Sequence, residues 1–146
     1  MWTCPKCGQQ FLHTNQRHSC NDRTVQDFLD GKSAHTLALY DHFLEVYRGI
    51  GDFVLHPAKT RIALANKTRF CSINQLGRNF LHVVFQFDQP YNDNYCFIKV
   101  AQIPETHLFN HHCRVYAIED VNEEVRMYMK MAFDRGNKLS PDQIGE

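Results

Sequence analysis

Apolar residues recur every three or four positions in two long segments of this chain, the spacing that buries one face of an α-helix. The first segment follows Ser33, a residue type that caps helix N-termini, and it is ended by Gly49 and Gly51. Its apolar face comprises Leu37, Tyr40, Phe43, Leu44, Tyr47 and Ile50. Just before it, Thr24 predicts the start of a shorter helix, and Gly31, in the left-handed conformation, predicts its end.

The second segment predicts a helix near the C-terminus. Asp120 and Glu123 have the spacing of a capping box, and Gly136 marks the expected end of the helix. The apolar stripe between them comprises Val121, Val125, Tyr128, Met129, Ala132 and Phe133. A stripe of this length needs an apolar partner, so we expect the helix to pack against a sheet.

Alternation of apolar and polar residues predicts strands between the two long helices. It is clearest at residues 80–88, where one face carries Leu81, Val83, Phe85 and Phe87 and the other carries His82, Val84, Gln86 and Asp88. Shorter strands are predicted at residues 53–56, 59–65, 68–73, 95–103 and 112–118, with a tight turn at Asn66 and Lys67. The order of elements predicts an α+β fold, in which an antiparallel meandering sheet of five or six strands has helices packed on one face.

The first twenty residues contain the strongest chemical pattern in the sequence. Cys4 and Cys7 are separated by two residues and followed by a glycine, which is typical of a knuckle that presents two thiolates to one zinc ion. Cys20 supplies a third thiol, and His13 and His18 compete for the nitrogen position. Four protein ligands leave no open coordination position, so the predicted Zn²⁺ site is structural. A redox pair is the alternative, but a thioredoxin-like pair opens a helix after a strand of a βαβ unit, and the sequence predicts no such unit around these cysteines.

Composition predicts a globular protein with a small N-terminal appendage. The chain has 146 residues, of which 43% are hydrophobic. We expect a zinc-finger segment at residues 1–22, an α+β domain at residues 23–138 and a frayed tail at residues 139–146. No apolar run is long enough to span a membrane and no signal peptide is recognisable, so no membrane partner is expected. Six cysteines beside metal-ligand chemistry favour a reducing compartment, which predicts a cytoplasmic location.

Charge is distributed unevenly, although the formal net charge is zero. Residues 56–78 contain no acidic residue and five basic ones, namely Lys59, Arg61, Lys67, Arg69 and Arg78. Alternation places Lys59 and Arg61 on one face of their predicted strand, and with His112 they predict a site for a phosphate or carboxylate. Two simpler interpretations stay open: a solvated outer face, or neutralisation by acids of the last helix.

Three function classes are compatible with these patterns. The first is a binding or adaptor module for a small anionic ligand or a protein partner. The second is an enzyme acting on a phosphorylated or other anionic substrate in a pocket around Lys59, Arg61 and His112. The third is a nucleic-acid-binding accessory protein, although the finger lacks the long recognition helix that reads bases, so only weak backbone contact is expected. No recognisable nucleophile motif favours the enzyme, so we predict the binding module.

Several short runs of residues are shared with one group of proteins. They are the N-terminal run Met-Trp-Thr-Cys-Pro-Lys-Cys-Gly, the His-Ser-Cys run at residues 18–20, residues 28–32 and 57–63, Arg69-Phe70 and His111-His112. On these runs the chain resembles small bacterial proteins that join a zinc finger to a domain of unknown function, of the type numbered 5655. The resemblance favours His18 and Cys20 as the second pair of zinc ligands, with His13 as the alternate. It implies an α+β domain and no established activity.

Overall fold

The structure is a computed structural model that describes residues 2–3, 10–11, 24–92 and 95–138. Its helices are α1 (Val25–Leu29), α2 (Ala34–Ile50) and α3 (Glu123–Lys138), and a 3-10 helix covers Ile118–Asp120. Its strands are β1 (Trp2–Thr3), β2 (Gln10–Phe11), β3 (Val54–Pro57), β4 (Ile62–Ala65), β5 (Arg69–Gly77), β6 (Phe80–Phe87), β7 (Lys99–Gln102) and β8 (Phe109–Val115). None of these helices is long and apolar enough to cross a membrane. The predicted α+β class is confirmed.

Strands β3 to β8 form one antiparallel sheet in the order β3-β4-β5-β6-β8-β7. Successive strands are neighbours from β3 to β6, as a meander predicts, but β8 pairs with β6 and β7 lies at the edge. β6 is therefore central, with Val83 paired to Ile73 of β5 and to Cys113 of β8. Strands β1 and β2 form a separate antiparallel pair, and β2 lies against β3.

Helices α2 and α3 pack on one face of the sheet, and the layer between them is the core. The ring centroid of Tyr47 in α2 lies 5.1 Å from that of Phe70 in β5, and the Phe70 centroid lies 5.2 Å from that of Phe133 in α3. The Tyr47 hydroxyl donates a hydrogen bond to the carbonyl oxygen of Met129 at 3.0 Å, so its polar atom is satisfied within the core. The predicted packing of the C-terminal stripe is confirmed by one buried cluster that joins Val125, Tyr128, Met129 and Phe133 to Leu81, Val83, Phe85 and Phe87.

Side chains cap the helices, two of them as predicted. Thr24 and Ser33 accept hydrogen bonds from the first turns of α1 and α2. The predicted cap at Asp120 is wrong, because α3 begins two residues later and Asn122 accepts the backbone N–H of Val125. The carboxylate of Asp120 instead accepts hydrogen bonds from two backbone N–H groups just after β8. It thereby closes the turn from the sheet into α3.

The β4–β5 hairpin turns through residues 66–68 and holds the last turns of α3. Asn66 Nδ2 donates to the carbonyl oxygen of Phe133 at 2.8 Å, and Thr68 Oγ1 donates to that of Gly136 at 3.2 Å. Gly136 is among the last four residues of α3, whose carbonyl groups have no partner within the helix, so Thr68 satisfies one of them. Asn66 anchors the turn before it. The predicted end of the helix at Gly136 is wrong, since α3 continues to Lys138.

Strand boundaries differ from the prediction where turns and bulges intervene. β4 begins at Ile62 instead of residue 59, and β8 begins at Phe109 instead of residue 112. An irregularity in the pairing of β4 with β5 falls at Phe70. This bulge turns Phe70 into the core beside Cys71, which strict alternation along a strand would not allow.

Truncation of Phe133 tests whether α3 completes this core. Its side chain is 7% exposed and packs on Phe70 and Tyr47. We expect Phe133→Ala to lower the free energy of unfolding by about 3–5 kcal/mol, because it removes buried aromatic surface and leaves a cavity. Met127→Ala is the matched control on the exposed side of α3, and it should change that energy by about 0.5 kcal/mol or less. Chemical denaturation measures both, and a loss below about 1 kcal/mol for Phe133→Ala would contradict this packing.

Candidate anion-binding site

On the face of the sheet opposite α2 and α3, the described strand residues include basic side chains and no acidic one. We call this face the open face, because no helix of the described residues packs on it. The six strands contain no Asp or Glu. Cross-strand pairing places Arg69, Lys99 and Arg114 on the open face, since their partners alternate with core residues. Charge of one sign is therefore gathered on this surface.

A groove of about 240 Å³ crosses the open face over β4, β5 and β6. Ala63 and Val84 form part of its floor. Its polar lining consists of side chains that can donate hydrogen bonds, namely Arg61, Arg69, Ser72, Asn74, Gln86 and Asn110. Because none of them is acidic, the lining is complementary to an anion.

Turns and bulges of the strands position the two arginines. Arg61 is the last residue of the β3–β4 turn, where its carbonyl oxygen accepts the N–H of Ala58 at 2.8 Å. Arg69 opens β5 at the bulge and pairs with Ala65. Between them, Ser72 Oγ donates to Asn74 Oδ1 at 2.5 Å, which leaves the Asn74 amide nitrogen as a donor. Both arginine side chains are exposed at the rim of the groove.

Acidic residues of the described ranges make their ion pairs away from this groove. Asp134 of α3 pairs with Lys130 at 2.8 Å, and Asp88 pairs with Arg135 at 2.7 Å. Within the same ranges, no carboxylate lies within 4.0 Å of a cationic nitrogen of Arg61 or of the other basic residues predicted at residues 56–78. Neutralisation by acids of the last helix is thus not what the described part of the chain shows.

A second cavity, of about 440 Å³, lies beside α3 and differs in its charge. Its lining includes Asp88, Asp134, Arg135 and Lys138 beside Phe87 and other apolar side chains. Acids and bases neutralise one another there, because Asp88 and Arg135 form an ion pair. The groove on the open face is therefore the better anion site.

Of the three residues predicted for an anion site, the groove contains one. Arg61 lines it, whereas Lys59 lies in the exposed part of the β3–β4 turn. His112 lies on β8, which is separated from β4 by two strands, about 14 Å at the usual spacing of neighbouring strands. Arg61 and Arg69 therefore line the same groove, and His112 is not among its lining residues.

His112 belongs instead to a hydrogen-bonded chain on the open face. Arg114 Nε donates to His82 Nδ1 at 3.1 Å, and His82 Nε2 lies 2.8 Å from His112 Nδ1. A guanidinium group can only donate, so His82 carries its proton on Nε2 and donates it to His112. Burial lowers the pKa of His82, and His112 and Arg114 lower it further. Burial also lowers the pKa of His112, and the positive charge of Lys99 adds to this effect.

The candidate zinc ligands lie outside the described residues; they are Cys4, Cys7, His13, His18 and Cys20. Strands β1 and β2 flank the segment that holds the first two cysteines, with Thr3 paired to Gln10. In the ranges that the structure describes, no three His, Cys, Asp or Glu side chains are grouped so that they could hold a metal ion. Zinc ligation therefore stays a prediction.

Sequence reasoning missed most of the groove, although part of it was accessible. Alternation places Gln86 on the polar face of its strand, and Arg69 belongs to the basic stretch. Asn110 falls in a predicted loop, because β8 begins three residues before the predicted strand. Ser72 and Asn74 carry no pattern of their own, since single polar residues in a strand are common.

The chain belongs to the family described as Domain of unknown function (DUF5655), whose model matches residues 25–136. This range includes α1, α2, the six-stranded sheet and most of α3, and it excludes the predicted zinc finger. No curated protein and no solved structure matches the sequence. The family description names no activity, so a function has to be argued from the geometry of the site.

The hydrogen bond between His82 and His112 leads to a prediction about their pKa values in solution. We expect His82 and His112 to titrate below the usual value of about 6.5, so both are neutral at physiological pH. Lys99→Gln should raise the pKa of His112, because it removes a nearby positive charge, while Lys130→Gln on α3 should leave that pKa unchanged. NMR spectra of the imidazole nitrogens at several pH values report both the pKa and the protonated nitrogen. A His112 pKa that is the same in Lys99→Gln as in the unmodified protein would contradict this arrangement.

Proposed function

We propose that this protein is a binding module that holds an anionic group in the groove on the open face of its sheet. The observation that carries the proposal is a pair of arginines, Arg61 and Arg69, in a groove whose lining, as far as the structure describes the chain, contains no acidic residue. Like charges gathered on a rigid sheet repel one another, and a bound anion relieves that repulsion. The surrounding strands, which also lack Asp and Glu, do not supply the missing charge.

The chemistry of the lining suits a phosphate or carboxylate group. A guanidinium fork donates two parallel hydrogen bonds to such a group, and these bonds are stronger than those between neutral partners. The side-chain amides of Asn74, Gln86 and Asn110 offer further neutral donors around the same space. The groove is smaller than the range of about 300–1,000 Å³ that is usual for whole ligands, so it fits one charged group of a larger molecule.

Inorganic phosphate is the simplest probe of this site. In an NMR titration at constant ionic strength, millimolar phosphate should shift the backbone amides of Arg61, Ser72 and Gln86. The double variant Arg61→Gln and Arg69→Gln should weaken binding about tenfold or more, because two charged donors are lost. Chloride at the same ionic strength should not reproduce the shifts.

A matched control separates local binding from general charge effects. Arg48→Gln removes one positive charge from α2, where that side chain pairs with Glu45 on the helix side of the molecule. Phosphate shifts should persist in this variant. Unchanged spectra of the unmodified protein, or equal losses in Arg48→Gln and in the double variant, would overturn the proposal.

A structural Zn²⁺ ion at the N-terminus is part of the same proposal. Three thiols and an imidazole, from Cys4, Cys7, Cys20 and His18 with His13 as alternate, form a tetrahedral donor set of the kind that zinc prefers. The antiparallel pairing of β1 with β2 supports this idea, because it brings together the two ends of the segment that contains Cys4 and Cys7. A cytoplasmic location is also proposed, and the free thiols of Cys71, Cys96 and Cys113 fit a reducing compartment.

Replacement of Cys7 tests the metal site. Elemental analysis should find about one zinc per chain in the purified protein and much less in Cys7→Ser. The rest of the chain should still unfold cooperatively in that variant, because the sheet and α2 and α3 have their own core. Cys96→Ser, outside the predicted finger, should retain the metal. Full zinc content in Cys7→Ser would rule out this ligand set.

A further inference from the structure

The open face carries an aromatic pair at the start of β6, beyond the groove. Phe80 lies over Gly77, its partner on β5, and fills the space that a side chain at position 77 would need. Tyr116 follows β8, and its ring centroid lies 5.8 Å from that of Phe80. The guanidinium carbon of Arg114 lies 4.8 Å from the Phe80 centroid, which places ring and cation on the same face. Tyr116 is 54% exposed, so its ring can stack on a flat ligand.

Hydrogen bonds fix the backbone that carries this exposed ring. The N–H of Tyr116 donates to Asp120 Oδ2 at 2.8 Å, and its carbonyl oxygen accepts from His35 Nε2 at 2.6 Å. Since the backbone is already ordered, little conformational freedom is lost when a ligand stacks on the side chain. An exposed aromatic ring held in this way is suited to binding and contributes little to the core.

Positive charge connects the aromatic pair to the groove. Arg61, directly before β4, and Arg114 of β8 lie at similar positions along the strand direction, because their neighbours Ile62 and Cys113 are joined in register through β5 and β6. Their backbones are about 14 Å apart at the usual spacing of strands. The surface thus offers a pocket for one charged group, further cations across the sheet and an aromatic platform. A polymeric ligand that carries repeated negative charges and flat rings matches these three features of the surface.

We infer that the ligand is a single-stranded nucleic acid, an inference that rests on the proposed anion-binding function. One phosphate occupies the groove between Arg61 and Arg69, and an unpaired base stacks on Tyr116. Arg114, beside that ring, meets the backbone of the same strand. A positively charged surface combined with aromatic platforms is how proteins bind single strands without reading their sequence.

The same features argue against a duplex. Double-stranded DNA is read by a helix or ribbon that projects into its major groove, whereas α2 and α3 lie on the opposite side of this sheet. Base faces are available for stacking on Tyr116 only when the bases are unpaired. An acidic protein segment would satisfy the arginines but has no general use for an exposed ring beside them.

Fluorescence anisotropy with the full chain as purified tests the inference. The probe is a labelled oligothymidylate of about twelve nucleotides, compared with a duplex of equal length, inorganic polyphosphate and polyglutamate as competitors. Tyr116→Ala should weaken binding of the single strand roughly tenfold, whereas Tyr116→Trp should retain it, because tryptophan keeps the stacking surface. Arg69→Gln should reduce the slope of affinity against salt by about 0.7 on logarithmic axes, since one phosphate contact is lost. Met127→Ala on α3 is the control and should bind normally.

Each outcome separates this inference from the function on which it rests. The inference is supported if the protein binds the single strand more tightly than the duplex and Tyr116→Ala abolishes this preference. Polyphosphate or polyglutamate could compete as strongly as unlabelled oligonucleotide, with no effect of Tyr116→Ala. That result would overturn the assignment of a nucleic acid as the ligand and leave the proposed anion binding in place. Equal affinity for the duplex would overturn the single strand. Failure of every probe, inorganic phosphate included, would overturn both.

Discussion

The packing of α2 and α3 against one face of the sheet is the interaction on which the rest of the structure depends. It buries Phe43 and Tyr47 of α2 and Phe133 of α3 among apolar side chains of the strands. Successive side chains of a strand point to opposite faces, so burial of one set places His82 and Gln86 of the central strand on the open face. The open face is therefore a consequence of how the core is made.

The same division of faces separates the charges of the domain. In the described part of the chain, the acidic residues lie on the helices and in the connecting loops, and the sheet has none. Arg61, Arg69 and Arg114 are left on the open face without carboxylate partners in those ranges. A neutral chain thus presents a basic surface, which supports the proposed binding of an anion and explains why net charge alone indicated no partner.

Most of the fold was accessible to sequence reasoning because it depends on local periodicity. The stripes of α2 and α3 and the alternation of β6 each repeat within a few residues, so most of their buried residues are predicted correctly. On α2 the prediction is wrong at one position, because Leu39 rather than Leu37 joins the core. Errors occurred where a side chain from elsewhere decides the local structure. Asn66 and Thr68 hold the end of α3 through hydrogen bonds that bridge more than sixty residues, and no local pattern reveals them.

The candidate site shows most clearly what each level of structure decided. The sequence by itself determined that a basic stretch without acids contains Arg61 and Arg69, and that alternation would expose one side of each strand. Only the tertiary structure decided which residues meet across strands. β8 rather than β7 lies beside β6, which brings Asn110 into the groove, while β5 and β6 still separate His112 from Arg61. Strand order depends on how the whole core packs, and that packing joins residues too distant in sequence for any local pattern to relate them.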